Sequence, residues 1–303
     1  MAMKKKFSLI TILFCLPFFY SQNKKIFNRI DSLTSAKDIQ KFIENRDNKI
    51  NYYLNVEDKI KYNSYCSSIG DSLKLKQNWE KSDFDNNGLT DLLVTGNSSD
   101  GPKTIYILDK GTHFESKNLS KGKLYEECSF SSVKDNKIEY QSIKILDRYG
   151  FLSNLIKENL VYKNEEFIEE NLSPKKHNIL EIKFKTSGSH WNYYTFEMEI
   201  VSNKDATWTT KDDGFLTPGI YTTKLLEKDF KEIIDLVNYI DFENLNDEYN
   251  VSYSDSATGY LTITYDNLKT KTIRDYGLMG TRGLKKLYDI LVEMKLNQHW
   301  TKL

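Results

Sequence analysis

Two rhythms of apolar and polar positions run along this chain. Apolar residues spaced three to four apart mark helices, and strict alternation marks strands with one wet face. The first helical stretch is "SAKDIQKFIEN". Ser35 is placed to cap it, Asp38 sits three residues on, and Ile39, Phe42 and Ile43 share one face. "VEDKIKYNSYCSSI" reads as a second helix. From Leu73 the texture changes to short alternating runs. "LKLKQNWEKSDF", "GLTDLLVTG", "KTIYILDKG" and "HFESKNL" predict strands separated by Asn, Asp and Gly turns. The charged run "KNEEFIEENLSPKKHN", with Pro174, marks a boundary.

Beyond it, "ILEIKFKTSG" and "YYTFEMEIVS" predict strands, the latter with Tyr194, Phe196, Met198 and Ile200 on one face. "DATWTTKDDGFL" adds a hairpin and a turn at Asp213-Gly214. "LEKDFKEIIDLVNYI" predicts a helix with Phe230, Ile233, Ile234 and Val237 on one stripe. "GYLTITYDN" and "KTKTIRDY" alternate as a hairpin. Thr281 caps a last helix whose apolar face is Leu284, Leu287, Tyr288, Leu291 and Val292. Strands, helix, strands, helix is the order of an α+β layer fold. The expectation is an N-terminal helix plus a β-rich module, then an antiparallel sheet with two helices on one face. No internal repeat of domain-building period is visible.

The termini and composition refine this picture. Lys4, Lys5 and Lys6 precede an apolar run over residues 7–20, too short for a comfortable membrane span, and Ser21 offers a small residue before a cut. That pattern predicts a signal peptide over 1–21 and export to the periplasm or outside the cell, with no transmembrane span once it is removed; a retained anchor is the alternative. The expected organisation is then a helical segment over 22–70, a β-rich module over 71–173 and an α+β domain over 174–303. Lys+Arg and Asp+Glu are both 43, so there is no basic excess of the kind that nucleic-acid binding requires. Signal removal leaves Cys66 and Cys128, an even pair in an oxidising compartment. A bridge between them and two separate buried thiols both fit the sequence.

The most chemically specific stretch is "SDFDNNGLTDLLVTG", residues 82–96. A hard cation such as calcium takes six to eight oxygens, many of them carboxylate. Asp83, Asp85 and Asn87 fall at alternate positions, Leu89 can offer its backbone carbonyl, and Asp91 follows two residues later. Three carboxylates on so short a loop repel one another without a cation. The competing reading is a plain hairpin turn in which Asn87-Gly88 supplies the positive φ angles. An EF-hand does not fit: its twelfth position should be Glu and here is Val94, and a strand follows where a helix should.

D-x-D-x-N-G-x-x-D before an apolar strand resembles the calcium loop of FG-GAP/VCBS repeats. The resemblance covers residues 79–108 and implies Asp83, Asp85, Asn87, the Leu89 carbonyl and Asp91 as ligands of a structural calcium ion. One copy is present, whereas a propeller needs at least about four blades, so the loop transfers and the propeller does not. From Leu180 onward the order of strand, Asp213-Gly214 turn, helix ending at "IDFENLNDEY", "SYSDSATGYLTITYDN" hairpin, "KTIRDY" strand and final amphipathic helix resembles the DUF6438 type of domain in exported Bacteroidetes-type proteins. "TSGSHWNYY" stands where that family has a Gly/Cys-rich opening. The resemblance implies no activity.

Other chemistry is sparse. His113, His177, His190 and His299 form no metal-binding spacing. Ser189-His190 is adjacency, not triad geometry. "GLMGTRG" leads into the last helix with Arg274 and Arg282 near, an arrangement for an anion or, more simply, a helix-capping loop. Trp191, Tyr193 and Tyr194 suit a sugar face or ordinary strand packing. These features favour a non-enzymatic exported protein with a binding or structural role, its partner an envelope protein or glycan. A secreted hydrolase whose site assembles only in the fold, and an inhibitor or immunity-type partner protein, are the alternatives.

Overall fold

The computed structural model describes residues 29–45, 54–58, 64–73, 78–99, 101–146, 149, 151–188, 195–212 and 217–303. The predicted signal segment, Ser189, His190, Trp191, Tyr193, Tyr194 and the Asp213-Gly214 turn lie outside these residues.

Helix α1 (Ala36–Glu44) begins where its sequence says it should. Ser35 Oγ accepts from the Asp38 N–H, and the Asp38 carboxylate accepts from the Ser35 N–H in return, a capping box that satisfies two helix-end donors. Strands β1 (Trp79–Ser82), β2 (Asp91–Ser98), β3 (Gly101–Asp109) and β4 (Phe114–Asn118) form an antiparallel meander. Alternation sends Leu92, Val94, Ile105 and Ile107 to one face, where they bury against Ile39, Phe42 and Ile43 of α1. Each such side chain contributes about 1.5–3 kcal/mol by leaving water.

Leu93, Tyr106 and Leu108 take the other face. They meet Ile138, Tyr140, Leu160 and Phe167 of a second meander, β5 (Glu126–Lys134), β6 (Lys137–Ile145), β7 (Leu152–Lys163) and β8 (Glu166–Glu169). Its turns carry positive φ at Asp135, Asn136, Asn164 and Glu165, which suits tight two-residue hairpins. The outer face of this sheet presents Cys128, Phe130 and Ile143 to Cys66, Ile69 and Leu73 of α2 (Ser64–Leu73). A disulfide joins Cys66 to Cys128, with Cα atoms 5.7 Å apart. The first module is therefore a four-layer stack of helix, sheet, sheet and helix.

The predicted second helix starts later than its sequence pattern suggests. Residues 54–58 are extended rather than helical, and Asn55 exchanges backbone hydrogen bonds with Asn97 at 2.7 and 2.8 Å. Burial of Leu54 and Val56 beside α1 outweighs local helical preference. Gly96 permits this approach: a Cβ there would lie 2.8 Å from the Asn55 carbonyl oxygen.

The second module is one eight-stranded sheet in the order β13-β15-β14-β9-β10-β11-β12-β16. Its strands are β9 (Ile179–Ser187), β10 (Thr195–Val201), β11 (Asp205–Asp212), β12 (Gly219–Lys224), β13 (Glu248–Asn250), β14 (Thr258–Tyr265), β15 (Lys269–Tyr276) and β16 (Thr301–Lys302). All pairs are antiparallel except β13 with β15. Ile182, Phe184, Met198, Trp208, Leu261 and Ile273 point to the face covered by α3 (Glu227–Tyr239) and α4 (Arg282–Asn297). The opposite face is polar, with Lys183 bridging Glu181 and Glu199 and Thr262 bonded to Thr272. β8 serves both modules: Phe167 enters the sandwich core and Ile168 the helix–sheet core. No helix among the described residues is long and apolar enough to cross a membrane.

Candidate functional site

The loop between β1 and β2 brings Asp83, Asp85 and Asp91 together. One carboxylate oxygen from each lies within 4.8 Å of the others. Asp91 opens β2 and is wholly buried; its two oxygens accept from the Phe84 and Asp109 N–H groups, each at 2.8 Å. Asp83 accepts from the Asn87 and Gly88 N–H groups at 3.1 and 2.9 Å. Asn87 Oδ1 accepts from the Leu89 N–H, and its amide nitrogen donates to the Asp109 carbonyl. The positive φ angles fall on Asn86 and Gly88, not on Asn87 with Gly88. The reason is that this is a long carboxylate-braced loop rather than a two-residue hairpin.

The electrostatics of this cluster are strained. Burial, with the charges of Asp85 and Asp83 adding, pushes the Asp91 carboxyl up to about 7 despite its two N–H donors. Lys110 answers part of the charge, its ammonium 2.7 Å from Asp85. Burial works against the charged ammonium, but the hydrogen bond and charge of Asp85 hold the Lys110 pKa above its ordinary value. Asp109 and Lys110 were not among the sequence candidates. They arrive because β2 pairs with β3, which sets the end of "YILDKG" beside the loop. The donor set is all oxygen, which fits a hard cation. The Leu89 carbonyl lies in the same loop.

The loop before α4 also holds an anion, but one from this chain. Glu169 of β8 accepts from the Arg282 and Gly283 N–H groups at 2.6 and 2.9 Å, and Thr281 Oγ1 accepts from Leu284. A carboxylate at a helix N-terminus satisfies free donors and complements the dipole. Arg282 reaches into the open end of the sandwich. It donates to Glu158 at 2.9 Å and to the Leu119 carbonyl at 2.8 Å, and lies 4.7 Å over the Tyr140 ring. Arg274 instead pairs with Glu248. The "GLMGTRG" segment is thus the joint between modules.

The described histidines are apart. His113 is exposed beside Glu115, His177 pairs with Asp266 at 2.9 Å, and His299 is exposed. A groove of about 530 Å³ lies at the joint, lined in part by Tyr239, Ile240, Leu245 and Thr281. Its two glutamates are engaged, Glu169 in the helix cap and Glu170 with Lys137.

One apolar surface stands out. Leu124, Leu146, Tyr149 and Phe151 are 61, 56, 73 and 67% exposed. Ile145 N–H donates to the Tyr125 carbonyl and Leu146 N–H to that of Phe151, so Leu124, Leu146 and Phe151 sit on neighbouring strand ends of the second sheet. Other exposed large apolar residues, such as Leu172, Leu226, Leu268 and Leu296, are scattered. Converging exposure is informative where single exposed leucines are not.

No curated protein and no solved structure matches the chain. Residues 180–295, from β9 almost to the end of α4, match the family model described as "Domain of unknown function (DUF6438)".

Proposed function

We propose that this is an exported, non-enzymatic protein of the cell envelope that binds an envelope protein or glycan through the apolar end of its second sheet, with a calcium ion bracing the loop over residues 83–91. The observation that carries the binding role is the exposure of Leu124, Leu146 and Phe151 on neighbouring strand ends, with Tyr149 exposed in the connection between β6 and β7. Such a patch suits an apolar protein surface or the face of a sugar ring. Export is supported by the Lys4–Lys6 and residue 7–20 pattern, and by the disulfide, since disulfides persist in oxidising compartments.

Calcium would be held by Asp83, Asp85 and Asp91, with Asn87 Oδ1 and the Leu89 carbonyl as further oxygens. It would take over from Lys110 as the counter-charge of Asp85, and its role is structural. Competition with Lys110 and an extracellular setting support a weak affinity, roughly 10⁻⁵–10⁻³ M.

The binding role is tested by retention from envelope fractions, comparing the wild type with a Leu146→Ser/Phe151→Ser variant of equal melting temperature. Two anchors of this kind contribute about 2 kcal/mol or more. The variant is expected to lose its envelope partner by at least ~30-fold in affinity. Equal retention by both proteins, or none by either, contradicts the reading.

A further inference from the structure

Glu126 opens β5 at the joint between the modules and is 5% exposed. Its Oε1 accepts both the Tyr140 hydroxyl and the Lys121 N–H, the latter at 2.7 Å. Its Oε2 is buried and has no hydrogen-bond partner. A neutral carboxyl suits this arrangement better than an ionised one, because its carbonyl oxygen takes two donors and its Oε2 hydroxyl, though left without an acceptor, carries no charge to desolvate. An ionised carboxylate fits less well, because half of its charge is buried without a donor.

The groups around it come from several elements. Tyr140 stands on β6, Glu158 on β7, Lys121 and Tyr125 on the segment before β5, and Arg282 on α4. Tyr140 links them: its hydroxyl binds Glu126 while its ring lies under the Arg282 guanidinium. Arg282 Nη2 is likewise buried with no hydrogen-bond partner. Tyr125 closes the contact from its side by donating to the Met279 carbonyl at 3.1 Å.

We propose that the Glu126 carboxyl is a proton-operated lock on the contact between the two modules, closed while the proton is on and loosened when it leaves. Ionisation sets a further anion beside Glu158 and Glu169 in a dry joint whose two cations, the Arg282 guanidinium and the Lys121 ammonium, already answer those carboxylates, and hydrating the added anion means opening the joint. Burial raises the Glu126 pKa above the usual carboxylate range, although the Tyr140 hydroxyl, the Arg282 charge and the Lys121 N–H pull it partly back. A carboxyl raised in the folded state gives stability that is complete below its unfolded value of about 4.3. That stability is lost as pH rises through the folded value.

Glu126→Gln tests this, because the amide keeps the shape of the neutral acid and cannot ionise. Melting is followed at about pH 5.5 and about pH 8.5 in calcium-free buffer, so that the aspartate loop contributes equally to both proteins. The wild type is expected to lose more melting temperature than the variant between the two conditions, by at least ~3 °C. At the higher pH, trypsin is expected to cut after Lys175 and Lys176, in the segment joining the modules, faster in the wild type than in the variant. Parallel falls in both proteins, whatever the offset between them, would overturn the proposal and leave Glu126 a purely structural residue.

Discussion

Arg282→Ala is expected to lower stability by about 3–5 kcal/mol, the cost of leaving a buried carboxylate without its partner. Its guanidinium is 9% exposed and the Glu158 carboxylate 18%. The substitution removes the ion pair, the bond to the Leu119 carbonyl and the packing on Tyr140 in one step. Burial alone would raise the Glu158 pKa, but the charges of Arg282 and Lys121 outweigh it and hold it below the ordinary range. A carboxylate lowered in this way adds stability above its unfolded value of about 4.3, lost as pH falls through the folded value. The variant should therefore melt about 10 °C lower at neutral pH and show a smaller difference in acid. Glu158→Gln in the same background should restore part of the loss, because a neutral amide leaves no uncompensated charge. Thermal melting of the wild type and the two variants checks this; an Arg282→Ala protein within 1 °C of the wild type would show that the joint does not depend on this pair.

Removing the disulfide should be comparably large. Cys66 and Cys128 are 62 residues apart, and closing a loop of that length restricts the unfolded chain by about 4 kcal/mol in the chain-entropy account. The structure adds a local reason. Cys66 is a wholly buried residue of α2, which otherwise meets the second sheet through partly buried Ile69 and Leu73. Urea unfolding of Cys66→Ser/Cys128→Ser should show a loss of about 3–4 kcal/mol, matched by the wild type in reductant. Loss of protection of α2 amides in hydrogen exchange should accompany it. A double variant as stable as the oxidised protein would mean that apolar contact alone holds α2.

Much of the fold was legible because its signals are local. Ser35 with Asp38, Thr281 before an apolar stripe, and the alternation of Phe196, Met198 and Ile200 each specify an element within a few residues. The turn at Asp135-Asn136 was equally local, yet the strands it joins, β5 and β6, carry weaker alternation, with Ser129, Ser131 and Ser142 on inward faces. What was not legible depends on distant pairing. β9 lies between β14 and β10, and Arg282 meets a glutamate 124 residues earlier. The candidate loop was visible as a spacing of oxygens, whereas Lys110 and Asp109 joined it only through the pairing of β2 with β3.

The calcium brace is tested most directly by melting the protein in millimolar calcium and in chelator, beside Asp85→Asn. An ion bound only to the folded state adds about 2.7 kcal/mol at a hundred times its dissociation constant. The wild type is expected to melt several degrees higher with calcium, and the variant to show no shift. Equal wild-type melting temperatures in calcium and chelator would contradict the account and leave Asp83, Asp85 and Asp91 as a loop held by backbone N–H donors and Lys110.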